Sequence, residues 1–98
     1  MRVSHADKKL ERLEFDLAYT AGFGPDLVKA YRRRMQFIRA ATDERDFRNM
    51  KSLHYEKLKG KRSHQRSMRL NDQYRLILEI ETDETGNFVL IISIEDYH

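Results

Sequence analysis

An apolar stripe with helical spacing opens the chain, and Ser4 is a candidate N-cap for the helix that it predicts. The Gly-Phe-Gly-Pro segment at 22–25 would end this helix, because glycine and proline interrupt helical structure. The stripe falls at positions i, i+4, i+7 and i+11, and its members are Ala6, Leu10, Leu13 and Leu17.

A second helix is predicted after this break, because Pro25 suits a first helical turn, where its missing N–H is not needed. The connection between the two helices is short, so they should pack against each other as an antiparallel hairpin. One face of the second helix is apolar and carries Val28, Tyr31, Met35, Ile38 and Ala41.

The second half of the chain alternates between apolar and polar residues with the period of two that is typical of strands. The turn residues Asn71-Asp72 and a loop at 82–87 separate three predicted strands. Short turns join neighbouring strands in opposite directions, so the three strands would form an antiparallel meander. The predicted strands cover residues 67–70, 74–81 and 88–94.

In the last strand the alternation predicts that Phe88, Leu90, Ile92 and Ile94 share one face. Helices followed by strands indicate an α+β fold, with the helical hairpin packed on an antiparallel sheet. Residues 1–3 are compatible with an edge strand, but so short a segment does not establish one. With 98 residues, the chain is expected to form a single domain over residues 1–98.

Composition excludes several classes of protein. The chain has no cysteine, which excludes disulfides and thiol catalysis and removes the usual ligands of structural zinc. No apolar run approaches the roughly 18 residues of a membrane-spanning helix. The charged N-terminal stretch does not resemble a signal peptide, so we expect a cytoplasmic protein.

The net charge is only +3, but it is distributed unevenly. Residues 51–69 contain seven Lys and Arg against the single acid Glu56, a local charge of +6. Residues 70–98 contain one base, Arg75, against seven acids. A basic segment on a nearly neutral chain indicates a localised site for a polyanion. The alternative at this point is an ordinary solvated loop.

Proton-transfer groups and arginines also occur near this segment. Arg69 and Arg75 have matching parity about the turn at Asn71-Asp72, so they could extend from one face of the sheet. Metal-free RNA cleavage needs groups that move protons from the 2′-OH and to the leaving oxygen, and cations that balance phosphate charge. His54, Tyr97 and His98 are candidates for proton transfer or base contact, and arginine suits the phosphate. Taken singly, each has a simpler reading as a strand-end, rim or terminal residue.

Three segments together resemble a known family. Residues 53–60 read Leu-His-Tyr-Glu-Lys-Leu-Lys-Gly, residues 67–76 read Ser-Met-Arg-Leu-Asn-Asp-Gln-Tyr-Arg-Leu, and the chain closes with Ile-Glu-Asp-Tyr-His. In this order and in a chain of this size, they resemble the HigB-like, plasmid-maintenance-killer branch of the RelE/ParE toxins.

The resemblance implies a microbial-RNase type of α+β fold with a helical hairpin on a curved antiparallel sheet. It also implies that the chain cleaves messenger RNA in the ribosomal A site without a metal or other cofactor. The implied partners are the ribosome, its mRNA and a HigA-like antitoxin with a helix-turn-helix.

Carried over to this sequence, the family's motifs indicate two sets of residues. Either His54 or His98 would act as general base and the other as acid, and the sequence leaves open which does which. The catalytic set is His54, Arg75, Asp96, Tyr97 and His98. The RNA-binding set is Lys57, Lys59, Lys61, Arg62, Arg66 and Arg69.

Two other functions remain open from the sequence. A ParE-like inhibitor of DNA gyrase would share the fold without being a nuclease, although such an inhibitor has no need of His54 and a Tyr-His ending. A non-catalytic RNA-binding module is the second alternative, but the sequence lacks the signatures of the RRM and KH domains.

Overall fold

The computed structural model describes residues 1–97, so His98 lies outside the described residues. The helices are α1 (Lys8–Phe15), α2 (Pro25–Ala40) and α3 (Glu44–Asn49). The strands are β1 (Arg2–His5), β2 (Glu56–Lys57), β3 (Arg66–Arg69), β4 (Tyr74–Asp83) and β5 (Gly86–Asp96). Two single turns of 3₁₀ helix cover Lys51–Leu53 and Gly60–Arg62. None of the described helices is long and apolar enough to cross a membrane.

The strands form one five-stranded sheet in the order β1-β5-β4-β3-β2. The pairs β2–β3, β3–β4 and β4–β5 are antiparallel, which confirms the predicted meander. The N-terminal strand β1 is longer than residues 1–3 and pairs with β5 in parallel, so the sheet is mixed. The predicted α+β class, with a helical hairpin packed on the sheet, is confirmed.

Helix α1 begins and ends differently from the prediction. Ser4 lies in β1, and Asp7 is the N-cap, where its side chain accepts a hydrogen bond of 2.8 Å from the backbone N–H of Lys9. The helix ends at Phe15, because the Asp16 carboxylate accepts a hydrogen bond from the Ala18 N–H and favours a turn over another helical residue. The predicted stripe is therefore wrong at both ends, since Ala6 is exposed and precedes the N-cap, and Leu17 is 78% exposed.

Helix α2 matches its prediction closely. Pro25 is its first residue, and the predicted apolar face is buried together with Leu27. Tyr31 is fully buried at the centre of this face, and its hydroxyl donates a hydrogen bond of 2.8 Å to the Leu10 carbonyl of α1. This contact fixes the two helices of the hairpin relative to each other.

The core lies between the helices and one face of the sheet. Its strand residues are fully buried and alternate along β4 as predicted, but in β5 the buried residues are Val89 and Ile91. The face predicted for β5 from Phe88, Leu90 and Ile92 is therefore wrong. The strand members of the core are Met68, Leu76, Leu78, Val89 and Ile91.

A β-bulge at Ile92 changes the direction in which the rest of β5 faces. Leu78 pairs with Ile91, whereas the preceding Ile77 pairs with Ser93, so Ile92 is an extra residue without its own partner. Beyond the bulge Ile94 packs against the core, and the alternate positions 93, 95 and 97 turn to the opposite face. The bulge therefore determines on which face of the sheet the end of the chain lies.

Candidate active site

A polar cleft of about 270 Å³ opens on the sheet face opposite the helical hairpin, at the ends of β3, β4 and β5. Four of the residues that the sequence predicted for the site come together here, namely His54, Arg69, Arg75 and Tyr97. The remaining lining residues come from the turn between β3 and β4 and are Asn71, Asp72 and Gln73.

Arg75 is the most extensively bonded side chain of the cleft. Its Nε donates a hydrogen bond of 2.9 Å to the Oγ of Ser67, and its Nη2 donates to the backbone carbonyls of His54 and Ser67. Its guanidinium carbon lies over the Tyr97 ring, 5.6 Å from the ring centre. Its Nη1 donates to none of residues 1–97, so two N–H groups of a fixed guanidinium remain available to a ligand.

Arg69 lies directly opposite Arg75 in the ladder between β3 and β4, which places both on one face as the turn predicted. Like charges in opposed positions destabilise a strand pair. The Arg69 guanidinium bonds instead to the Asn71 carbonyl and to the Asp72 carboxylate, which is highly exposed. Two adjacent arginines with one exposed counter-ion form a local positive potential that favours an anion.

His54 follows the first 3₁₀ turn in a left-handed backbone conformation, with φ 47° and ψ 51°. Residues other than glycine seldom adopt this conformation, which costs roughly 1–3 kcal/mol and is concentrated at functional sites. Arg75 holds the His54 carbonyl in this position. The exposed His54 side chain thus lies on the cleft beside the arginine that fixes its backbone.

Tyr97 reaches the cleft because of the bulge at Ile92. Without the extra residue, position 97 would face the core, since side chains alternate along a strand. The Tyr97 N–H donates a hydrogen bond of 2.8 Å to the Gln73 carbonyl, and the residue is 48% exposed. A ring held in this way offers an open face on which a nucleotide base can stack.

The turn that carries part of the cleft is organised by Asn71. Its side-chain oxygen accepts hydrogen bonds from the backbone N–H groups of Gln73 and Tyr74, at 2.9 and 2.7 Å. The Gln73 amide in turn donates to the Asp96 carboxylate at 2.9 Å. Asp96 thus contacts this turn and does not line the cleft itself.

Helix α2 also supports the turn, through Arg34. Its Nη2 donates a hydrogen bond of 2.7 Å to the Arg69 carbonyl, and burial lowers the pKa of this guanidinium. Its Nε is buried and has no hydrogen-bond partner among residues 1–97. Within residues 1–97, Arg34 therefore contacts the cleft only through the backbone carbonyl of Arg69.

The predicted RNA-binding residues other than Arg69 lie outside the cleft, on the segment that precedes β3 and at its first residue. Arg62 forms an ion pair with Glu95, and Arg66 lies 3.6 Å from a carboxylate oxygen of Glu44. The others are exposed and form no ion pair with residues 1–97, and they are Lys57, Lys59 and Lys61.

Sequence reasoning did not find three residues of this face. Ser67 is the only fully buried polar residue among the described ones and anchors Arg75. Gln73 lines the cleft, and Glu95 holds Arg62. Only Ser67 left a signal, because it has the same parity in β3 as Arg69 and therefore lies on the same face.

The cleft brings together the groups needed for phosphodiester chemistry. It holds a fixed guanidinium, a second arginine, an imidazole and an aromatic ring around one space. A fixed guanidinium suits a phosphate because its charge strengthens the hydrogen bonds that its N–H groups donate to phosphate oxygens. His98 was predicted to be catalytic as well and lies outside the described residues.

The sequence matches the family model of the RelE-like toxin of type II toxin–antitoxin system HigB over residues 3–98. It matches no individual curated protein.

Solved structures with similar folds include a YoeB/ParE toxin from Agrobacterium tumefaciens, with a TM-score of 0.60, 14% identity and coverage of 100% of both chains. A YoeB–YefM complex from Staphylococcus aureus has a TM-score of 0.56 and 19% identity, and the match covers 100% of this chain and 97% of that one. The RelBE2 toxin–antitoxin complex from Mycobacterium tuberculosis has a TM-score of 0.53 and 16% identity, with coverage of 97% and 95%. At these identities the similarity shows a shared fold.

Proposed function

Because this chain belongs to the HigB-like family of RelE-like toxins of type II toxin–antitoxin systems, we propose that it is an endoribonuclease that cleaves messenger RNA on the ribosome. The observation that carries this proposal is the cleft in which a fixed Arg75, with two N–H groups that residues 1–97 do not use, lies beside His54 and Tyr97. An inhibitor that acts only by binding has no need of an imidazole beside a fixed guanidinium.

The proposed reaction is an in-line attack of a ribose 2′-oxygen on the adjacent phosphorus. A histidine accepts the 2′-OH proton, the new 2′-O–P bond forms, and the P–O5′ bond breaks. A second group protonates the departing 5′-oxygen, which leaves a 2′,3′-cyclic phosphate and a 5′-hydroxyl. His54 and His98 carry out the two proton transfers. The proposal leaves open which of them is the base and which is the acid.

The other residues of the cleft bind and orient the RNA. Arg75 and Arg69 balance the charge that builds on the non-bridging phosphate oxygens, as fixed donors do for any oxyanion. Tyr97 stacks on a base next to the scissile phosphate, and Asp96 orients the end of the chain through Gln73. The exposed lysines and Arg66 contact phosphates farther along the strand.

We also propose that a HigA-like antitoxin with a helix-turn-helix binds this chain and that the toxin acts in the cytoplasm, where ribosomes are found. Two of the structures with similar folds are complexes of a toxin with its antitoxin. The expectation that the antitoxin has a helix-turn-helix rests on the resemblance of the sequence to the HigB-like family.

Removal of Tyr97 and His98 tests this proposal. Expression of the intact chain should arrest growth, and expression of the chain ending at Asp96 should not, because base stacking and one proton-transfer group are both lost. Growth curves after induction are the measurement, and circular dichroism should show that the shortened chain folds.

The full-length double variant Y97A/H98A keeps the backbone hydrogen bond from residue 97 to Gln73 and serves as the second form of this test. It should also be harmless to growth. Full growth arrest by both altered chains would contradict the assignment of the chain end.

A further inference from the structure

Within the basic segment at 51–69, Arg62 forms an ion pair with Glu95 of β5. Both terminal nitrogens of the Arg62 guanidinium take part, with Nη1–Oε1 at 3.0 Å and Nη2–Oε2 at 2.6 Å. The Arg62 Nε donates to the side-chain oxygen of Gln65 at 2.9 Å, and Ser93 Oγ donates to Glu95 at 2.9 Å. Each nitrogen of the Arg62 guanidinium therefore already has an acceptor.

Glu95 is a carboxylate on the sheet face that carries the cleft. It pairs with Arg75 across the ladder between β4 and β5, and the bulge at Ile92 turns it to the same face. The Arg62 guanidinium beside it holds the pKa of the Glu95 carboxyl below its ordinary value, so Glu95 is charged at neutral pH.

The geometry of this pair is that of an anion bound by an arginine fork. Carboxylates and phosphates accept the same two parallel N–H groups, so a phosphate can replace Glu95 on Arg62 without a change in the arginine. The side chains of Arg62 and Glu95 are 45% and 31% exposed, which lets a ligand reach the pair. A partly exposed ion pair is weak enough to exchange.

We propose that Glu95 is a positioning residue that holds Arg62 in the free protein as a phosphate would, and that bound RNA displaces it. This inference rests on the proposed function, because it takes RNA as the incoming anion. Glu95 then lowers the affinity for RNA, because each RNA strand that binds must first break the ion pair between Arg62 and Glu95. The released Glu95 is left near Arg75, where it can return to Arg62 as the product leaves.

Substitution Glu95→Gln tests the proposal, because glutamine keeps the shape and loses the charge. The probe is a short single-stranded RNA with 2′-O-methyl groups, which cannot be cleaved, and binding is followed by fluorescence anisotropy at several salt concentrations. We expect E95Q to bind about two- to fivefold more tightly than the wild type, which is the strength of a partly exposed ion pair. The slope of log affinity against log salt should stay the same, because Arg62 contacts a phosphate in both complexes, whereas R62M should make the slope shallower by about 0.7, the value for one phosphate contact on a single strand.

Two further variants separate this mechanism from a general loss of negative charge. E84Q removes an acid in the hairpin at the other end of β4 and β5 and should leave both quantities unchanged. In an R62M background E95Q should change neither the affinity nor the slope, because the arginine that it would release is absent.

Weaker or unchanged binding by E95Q, an equal gain in the R62M background, or no binding of the RNA by the wild type would overturn the proposal. The proposed function fails separately, if ribosome-bound mRNA is not cut by a protein that binds the probe as expected. Thermal denaturation of each variant reports any general loss of folding.

Discussion

Replacing Arg75 with methionine should slow mRNA cleavage by about 10²–10³-fold, the effect of removing one preorganised donor to a developing oxyanion. Methionine keeps the aliphatic stem that packs on the sheet, but it loses the fork that donates to Ser67 and to the His54 carbonyl. The measurement is the single-turnover rate of cleavage of mRNA on purified ribosomes.

Two control variants separate this chemical effect from a change in stability. R75K keeps the charge without the fork, so it should recover only part of the rate. R45M removes an exposed arginine whose only ion pair within the described chain is with Asp43, and it should behave as the wild type. Urea unfolding should show R75M folded under the assay conditions. A rate within severalfold of the wild type for folded R75M would remove Arg75 from the proposed mechanism.

Replacing His54 with asparagine should reduce the same rate by about 10²–10⁴-fold, the usual contribution of a positioned acid or base. Asparagine is the appropriate substitution because it tolerates the left-handed backbone that His54 adopts, whereas most side chains would add strain. The loss should therefore reflect chemistry and not a rearranged loop.

The pH dependence of the residual rate also indicates the role of His54. A bell-shaped profile should lose its acidic limb if His54 is the base, and its basic limb if His54 is the acid. His64→Asn is the matched control, because His64 is exposed and does not line the cleft. An H54N protein with the wild-type rate and profile would show that proton transfer lies elsewhere.

Local signals in the sequence were enough for the second helix and for part of the site. Pro25 and the apolar face of α2 predicted that helix because both act within the element itself. The turn at Asn71-Asp72 placed Arg69 and Arg75 on one face, because a short turn leaves little freedom of register.

Features that depend on distant contacts were not predictable in the same way. The bulge at Ile92 left no signal, because residues 88–92 are all apolar and either face of that stretch could be buried. Contacts far apart in sequence decide the parallel pairing of β1 with β5 and the ion pair between Arg62 and Glu95. Such contacts determine on which face of the sheet Tyr97 lies and with which residue Arg62 forms an ion pair.

The most direct test of the proposed nuclease activity is to map the 5′ ends of mRNA after the chain is expressed, in parallel with an assay for DNA breaks. We expect new mRNA ends within codons, only on translated messages, with 5′-hydroxyl termini and with far fewer ends produced by R75M. Intact mRNA together with gyrase-dependent double-strand breaks would contradict the account and would indicate a gyrase inhibitor with the same fold.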